Sequence, residues 1–195
     1  MDRFPVILAD PAWPYEVWNR DTGSGRSAES HYETMTWEAL AALPVAEDLA
    51  APDACLFLWT VNPSLPRCIA IGESWGFTYK TKAFCFVKRT STGRAWFSGL
   101  GYWSRANTED CYLFTRGNPR RLSAGVDQLI AEVGQLDLFP PIVAPITVHS
   151  AKPYEQYSRI EALVEGPYLE LFARVQYPGW STWGHQAPNS IDWKP

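Results

Sequence analysis

The tetrad Asp10-Pro11-Ala12-Trp13 sets a carboxylate, a rigid carbonyl and a flat ring side by side at the end of an apolar run. An ionised aspartate only accepts hydrogen bonds. Proline has a fixed φ and no N–H, so the Pro11 carbonyl can be aimed rigidly. Trp13 adds a stacking surface. Two acceptors and a π face are what an exocyclic amine on a flat heterocycle requires, with both N–H groups accepted and the ring clamped. A strand end followed by a turn, with Trp13 in the core, would use the same four residues.

Charge is unevenly placed. The 195 residues carry a net −4, which taken alone argues against a general nucleic-acid binder. Between Lys80 and Arg121, however, nine basic residues face only Glu109 and Asp110. That segment has a surplus of seven positive charges, and the remainder of the chain is −11. A basic zone on an acidic protein suits a polyanion, and a solvated arginine-rich loop looks the same on charge alone. The ten tryptophans are numerous for this length. Most are expected in the core, but Trp13, Trp18, Tyr32, Trp96, Trp103, Trp180 and Trp183 lie beside turn signals and polar residues, where aromatics suit stacking on bases.

Strands that alternate with helices must position these groups. Phe4–Ala9 (FPVILA) reads as a buried strand, Thr36–Leu43 as a helix capped by Thr34 or Thr36, and Cys55–Thr60 as a second buried strand. Asn62-Pro63 opens a helix that Gly76 ends. Strands follow at Phe77–Lys88, Cys111–Thr115 and Leu129–Val133, then a helix over Pro153–Val164 and strands at Tyr168–Phe172 and Gly179–Gly184. Segments 10–30 and 89–108 read as long irregular loops, and Leu136–Ile146, with three prolines, as an irregular insertion. The alternation predicts a mostly parallel α/β sheet, whose ligand binds beyond the carboxyl ends of the strands. Length and composition predict one domain with a real core. Cysteines 55, 68, 85 and 111 form no CxxC and read as free, mostly buried thiols. No apolar run approaches the roughly 20 residues of a membrane span. The start MDRFPVILAD is too short in its apolar part for a signal peptide, so a cytoplasmic location is expected.

Beyond these residues, DPAW resembles the DPPW motif of adenine-N6 methyltransferases that use S-adenosylmethionine. The chain is similar along nearly all its length to the branch that includes the catalytic subunit of the eukaryotic messenger-RNA adenosine methyltransferase, and more closely to its small bacterial and phage members. ILADPAW, HYETM, CLFLWT, GYWSRANTEDCYLFTRGNP, HSAKPYEQYSRIEALVEGPYLELFARVQYPGW and WGHQ match family segments in order. The resemblance implies a Rossmann-like methyltransferase fold in circularly permuted order, catalytic motif first and cofactor motif YLELFAR last. Its sheet would be mostly parallel with helices on both faces, in a single domain over residues 1–195.

The resemblance also implies roles for single residues. Asp10 and the Pro11 carbonyl would accept the N–H groups of the adenine amine, Trp13 would stack on the ring, and Tyr32 would supply its second face. Ala12 stands where the family has a second proline, which loosens the loop and frees the Pro11 backbone; weakened preorganisation is expected, not lost chemistry. For S-adenosylmethionine the implied set is Asp10, Ser150, Lys152, Glu170, Phe172, Arg174, Gly184, His185 and Gln186. Lys152, before the 153–164 helix, aligns with a lysine near the methionine carboxylate. Glu170, Phe172 and Arg174 alternate along one strand face, with Glu170 as ribose acceptor. His185 replaces a family asparagine. His149, beside Ser150, belongs to a loop that either closes the site or serves the structure. Arg94 and Arg105 are candidates for phosphate contact, Arg105, Asn107 and Glu109 match the bacterial branch and either order the 89–108 loop or contact nucleic acid, and the loops at 14–33 and 88–108 are candidates for substrate recognition.

The adenine amine is a poor nucleophile because its lone pair is delocalised. Accepting both N–H groups favours a more tetrahedral nitrogen that can attack the sulfonium methyl, so orientation and electrostatics carry the rate. On duplex DNA the base must first be flipped out, at a cost of a few kcal/mol that stacking can partly offset. The leading reading is a DNA adenine-N6 methyltransferase. An RNA adenosine methyltransferase is the second. A silent nucleic-acid-binding partner subunit is the third, favoured by Ala12 and His185 and opposed by the retained Asp10, Pro11, Trp13 and Lys152. The expected partner is nucleic acid, DNA before RNA, with a homodimer or partner subunit left open.

Overall fold

The computed structural model describes residues 3–14, 35–88, 90, 95–99, 101, 103–131, 152–184 and 186–195. Its centre is a sheet of seven strands: β1 (Phe4–Ala9), β2 (Ala50–Thr60), β3 (Thr78–Val87), β4 (Thr108–Arg116), β5 (Leu129–Ala131), β6 (Tyr168–Leu171) and β7 (Trp180–Trp183). The spatial order is β5-β3-β4-β2-β1-β6-β7. β1 is parallel to both neighbours, β2 and β6, and β6 to β7 and β3 to β5 are parallel as well. Only the pairs made by β4, with β2 and β3, are antiparallel. The expected mostly parallel Rossmann-like sheet is therefore present. The first strand lies at its middle, beside the strand that carries YLEL near the end of the chain.

The burial pattern explains why these segments pair. β1 reads BiBBBB and the last seven residues of β2 are all buried, as strands covered on both faces must be. Alternate residues serve two cores. Ile7, Ala9, Leu56, Leu58, Phe114, Leu169 and Leu171 pack on one side with Leu40, Val45, Cys68, Ile71 and Trp75. Those partners come from α1 (Trp37–Ala41), α2 (Val45–Asp48) and α3 (Leu65–Ser74) with its C-cap residue Trp75. Val6, Leu8, Phe57, Trp59, Phe84 and Cys111 pack on the other side with Tyr157, Ile160 and Val164. That side is covered by α4 (Glu155–Leu163), so helices lie on both faces.

Local signals fix the ends of the elements. The Thr36 hydroxyl accepts from the Ala39 N–H at 3.1 Å and caps α1. Pro63 opens a single 3-10 turn, Asn62–Ser64, that runs into α3. Gly76, at φ +82, takes the left-handed turn after it. Gly72 lets α3 lie directly on β4, since a Cβ there would sit 2.5 Å from the buried Phe114 ring.

Several elements differ from expectation, among them β4, which begins at Thr108 rather than Cys111. β2 begins at Ala50, not Cys55, because Pro52 and Asp53 read as breakers. They sit where the β1 register shifts between Phe4 and Val6, and an irregular ladder tolerates a residue without an N–H. The short helix α2 was not foreseen, since four residues give too little periodicity to read. β6 stops at Leu171, because Phe172 is left-handed with φ 62. The cysteines are free, with Cys55, Cys68 and Cys111 buried and Cys85 half-buried. The Leu136–Ile146 insertion, Val133, and most of the 14–33 loop lie outside the described residues.

The Gly72 contact yields a test. Gly72→Ala pushes a methyl group into a ring that has no room to move, and should destabilise the fold by about 1–3 kcal/mol. A lower urea midpoint with an unchanged slope is the expected result.

Candidate active site

β1 delivers Asp10 to the carboxyl edge of the sheet, between the ends of β2 and β6. β4 runs the other way, so its first residues reach the same edge. Glu109 and Asp10 therefore meet although they lie far apart in sequence. Between them sits Lys152, just before α4. Its Nζ is 2.9 Å from Asp10 Oδ1 and 2.8 Å from Oδ2. Glu109 Oε2 is 3.1 Å from the same nitrogen, close but poorly directed, so the contact is an ion pair without an aligned hydrogen bond. Lys88, at the end of β3, pairs with Glu109 from the other side. The Lys152 side chain is 8% exposed and that of Asp10 is 15% exposed.

Glu109 and Lys152 hold each other ionised. Burial pulls the Lys152 pKa down, but Asp10 and Glu109 outweigh it and leave the ammonium above its ordinary range. Burial pushes Glu109 up, and Lys152 and Lys88 overcome it to bring the carboxyl down to about 2. A carboxylate has about four lone-pair positions, and Lys152 takes one on each oxygen of Asp10. Asp10 is thus locked in orientation with acceptor capacity left over.

Tryptophans build the floor. Trp13 Nε1 donates to the Trp59 carbonyl at 2.9 Å, which ties the DPAW turn to the end of β2. Its ring stacks on Trp37 with centroids 5.5 Å apart, and Arg67 lies over the Trp37 ring at 4.6 Å. Trp59 Nε1 in turn donates to Gln156 Oε1 at 2.7 Å, in α4, and Lys152 lies 5.5 Å from the centre of the Trp59 ring. Trp13 is 6% exposed. Pro11 is buried and Ala12 half-buried.

The strand beside β1 brings Glu170, which faces Leu8 across the β1–β6 pairing. The Tyr157 hydroxyl donates to Glu170 Oε2 at 2.9 Å. Burial lifts Glu170 to about 7, Asp10 adds to the rise, and the Tyr157 bond, Arg174 and Lys152 oppose it. Burial and Glu170 together raise the Tyr157 phenol. The expected alternation of Glu170, Phe172 and Arg174 on one face is not found. The left-handed turn at Phe172 sends its ring to the opposite core, against Trp75 at 6.5 Å and Trp183 at 5.6 Å. Gly184 stands where a Cβ would lie 2.5 Å from Ala173 N and 2.6 Å from its oxygen, so only glycine lets the end of β7 close on the end of β6. Its N–H donates to Asn189 Oδ1 at 2.7 Å, and Gln186 is exposed.

The structure thus brings together Asp10, Pro11, Ala12, Trp13, Lys152 and Glu170, with Phe172, Arg174, Gly184 and Gln186 along the ends of β6 and β7. Arg105 is exposed in the segment between β3 and β4. Tyr32, Arg94, Ser150 and His185 lie outside the described residues, as do Trp18 and His149. Of the aromatics singled out for stacking, Trp180 belongs to the core: it is 3% exposed, stacks on Tyr168 at 4.8 Å and donates to Glu161 at 2.9 Å. Trp183, three residues on, faces the other side and packs on Trp193. Sequence reading named Glu109 only as a loop or nucleic-acid residue, and missed Lys88, Trp59, Gln156 and Tyr157 as parts of the site. A charged or indole residue within two positions of a strand end was the available signal for Glu109, Lys88 and Trp59, whereas Gln156 and Tyr157 lie in α4 and carried none.

Comparison with known proteins places the chain in context. The MT-A70 family model matches residues 4–186. The type II methyltransferase M.MunI of a Mycoplasma species is 31% identical, over 96% of this chain and 79% of that protein. The N(6)-adenosine-methyltransferase MT-A70-like protein of Drosophila melanogaster is 29% identical, over 95% of this chain but 27% of that protein. The N(6)-adenine-specific methyltransferase METTL4 of Mus musculus is 25% identical, over 94% and 37% respectively.

The charge cluster makes stability depend on pH in two opposite ways. Glu109, held near 2, contributes stability above about 4.5 that is lost as pH falls toward 2. Glu170, raised to about 7, binds its proton more tightly when folded, so its contribution is full below about 4.5 and is lost as pH rises to 7. Glu170→Gln should remove the second slope from a denaturation series over pH and leave the first. Lys152→Met leaves two buried carboxylates without their shared cation and should cost about 3–5 kcal/mol at neutral pH, with the deficit shrinking in acid.

Proposed function

The chain belongs to the MT-A70 family, and on that premise we propose that it transfers a methyl group from S-adenosylmethionine to the N6 amine of adenine in DNA. The observation that carries the reading is Asp10 at the end of the central strand, both oxygens fixed by one buried lysine and acceptor positions remaining. Similarity to a type II methyltransferase over most of that protein's length supports DNA as the substrate. An RNA adenosine methyltransferase is the second reading, supported by the adenosine-specific relative from Drosophila melanogaster.

The residues present fit the methyl donor. The half-buried carboxylate after β1 and the buried one in β6 can accept from ammonium and hydroxyl groups, and the close approach of Gly184 to Ala173 leaves backbone, not side chain, at the ends of β6 and β7. S-adenosylmethionine supplies an electrophilic methyl group on a sulfonium. Asp10 and Pro11 accept the amine N–H groups of the adenine. Lys152 keeps the Asp10 oxygens aimed. Trp13 anchors the DPAW turn to β2 through its indole N–H and backs the reacting base. Accepting both N–H groups localises the nitrogen lone pair, and the fixed carboxylate needs no reorganisation when positive charge develops there. The whole chain works as one methyltransferase domain, with the 14–33 and 88–108 segments as substrate-facing loops. A homodimer or a partner subunit would enlarge the surface that selects the target sequence.

Labelled S-adenosylmethionine should pass its methyl group to unmethylated DNA, with N6-methyladenine in the nucleoside digest. Asp10→Ala should abolish the label. Label in RNA alone would select the second reading, and no label in any pool with no donor binding would refute both.

A further inference from the structure

We propose that Tyr157 is a positioning residue for the methyl donor: its hydroxyl holds one oxygen of Glu170 so that the carboxylate can accept the donor's ribose hydroxyls. The inference rests on S-adenosylmethionine as the donor, and adds a residue that acts on it through Glu170.

Glu170 is an acid inside the sheet. It is the third residue of β6, flanked across the ladders by Leu8 of β1 and Thr182 of β7, and it is 6% exposed. A buried carboxylate needs hydrogen bonds. The Tyr157 hydroxyl donates one at Oε2, 2.9 Å away. A carboxylate has about four lone-pair positions, and a phenol has a single proton to give. The bond therefore fixes one oxygen and leaves acceptor capacity on the carboxylate.

The ring that carries this hydroxyl is itself clamped. Tyr157 is 2% exposed. Tyr177 stacks on it at 4.1 Å with the planes 11° apart, and Trp180 meets it edge-on at 5.1 Å and 76°. Packing alone would be served as well by phenylalanine, so the hydroxyl is the part that calls for a role. Burial and Glu170 raise the phenol above its ordinary range, so Tyr157 keeps its proton and stays the donor.

Glu170 also stands at a distance that suits the donor. In the β1–β6 ladder it faces Leu8, two residues before Asp10. Strands about 4.8 Å apart, rising about 3.3 Å per residue, put the Cα atoms of Glu170 and Asp10 about 8 Å apart. The sulfonium of S-adenosylmethionine is one carbon from its ribose ring. A ribose on Glu170 thus brings the methyl group toward Asp10, where the adenine amine is accepted. Four titratable or charged groups bear on Glu170: Tyr157 in α4, Lys152 before it, Asp10 after β1 and Arg174 after β6. Burial lifts Glu170 to about 7 with help from Asp10, against Tyr157, Arg174 and Lys152. The ionised form is the better acceptor. Donor affinity therefore falls as pH drops through about 7, and removing the phenol moves that inflection upward.

The test measures S-adenosylmethionine affinity by calorimetry through a pH series that spans 7, for wild type, Tyr157→Phe, Glu170→Gln and the double variant. Tyr157→Phe keeps the ring and removes the hydroxyl. It should weaken binding about tenfold at neutral pH, the loss expected of one hydrogen bond to a charged group, with the gap narrowing as Glu170 ionises at higher pH. In Glu170→Gln the inflection should vanish, and adding Tyr157→Phe should change affinity little. A loss for Tyr157→Phe that is equal at every pH, or equal with and without Glu170, would mark a packing defect and overturn the proposal. Unchanged affinity would overturn it too. Each of these results leaves the methyltransferase reading standing, whereas no donor binding by wild type at any pH would remove both.

Discussion

A single buried ammonium, Lys152, is shared by two carboxylates, and the order of the site depends on that sharing. Asp10 and Glu109 arrive from strands that run in opposite directions and would repel each other without a cation between them. Lys152 would in turn be forced toward neutrality by burial if either acid were missing. Opposite charges outweigh burial for both Glu109, drawn down to about 2, and Lys152, which stays protonated. Such a cluster is costly to desolvate and contributes little net stability, but it admits few geometries. What it secures is orientation of the Asp10 oxygens.

The sheet topology makes the cluster possible. Among the described strands only β4 opposes the others, and it brings the start of its own sequence to the edge where β1 and β2 end. The indoles extend the same constraint. Trp13 binds the backbone at Trp59, and the Trp59 side chain binds Gln156 in the helix that follows Lys152. A shift of α4 would therefore move Lys152 and loosen the DPAW turn together. The segment between β3 and β4 shares this frame, because Lys88 and Glu109, at its two ends, are both members of the cluster.

Much of this was legible in the sequence, and unevenly so. The strands with continuous apolar runs, β1 and the second half of β2, were readable because burial on both faces leaves a strong signal. DPAW and Lys152 were readable through motif and resemblance. The start of β2 was hidden by Pro52 and Asp53, and α2 by its length. Glu109 looked like part of a loop, since nothing local shows that β4 extends back to Thr108 or that its second residue meets a lysine from the far end of the chain. Phe172 was assigned to the wrong face because its left-handed backbone is unusual for a bulky side chain and rests on packing against Trp75 and Trp183. Nor could aromatic content tell the buried Trp180 from the exposed Trp103.

The central claim is that a fixed Asp10 carboxylate drives the chemical step by accepting N–H groups. Asp10→Asn keeps the shape, loses the charge and turns one acceptor into a donor. The direct measurement is the single-turnover rate of this variant on a DNA that wild type methylates, alongside its affinity for the methyl donor. The account predicts a rate lower by about a hundredfold or more, with donor affinity falling far less. A rate equal to that of wild type, or a loss explained wholly by donor binding, would contradict it.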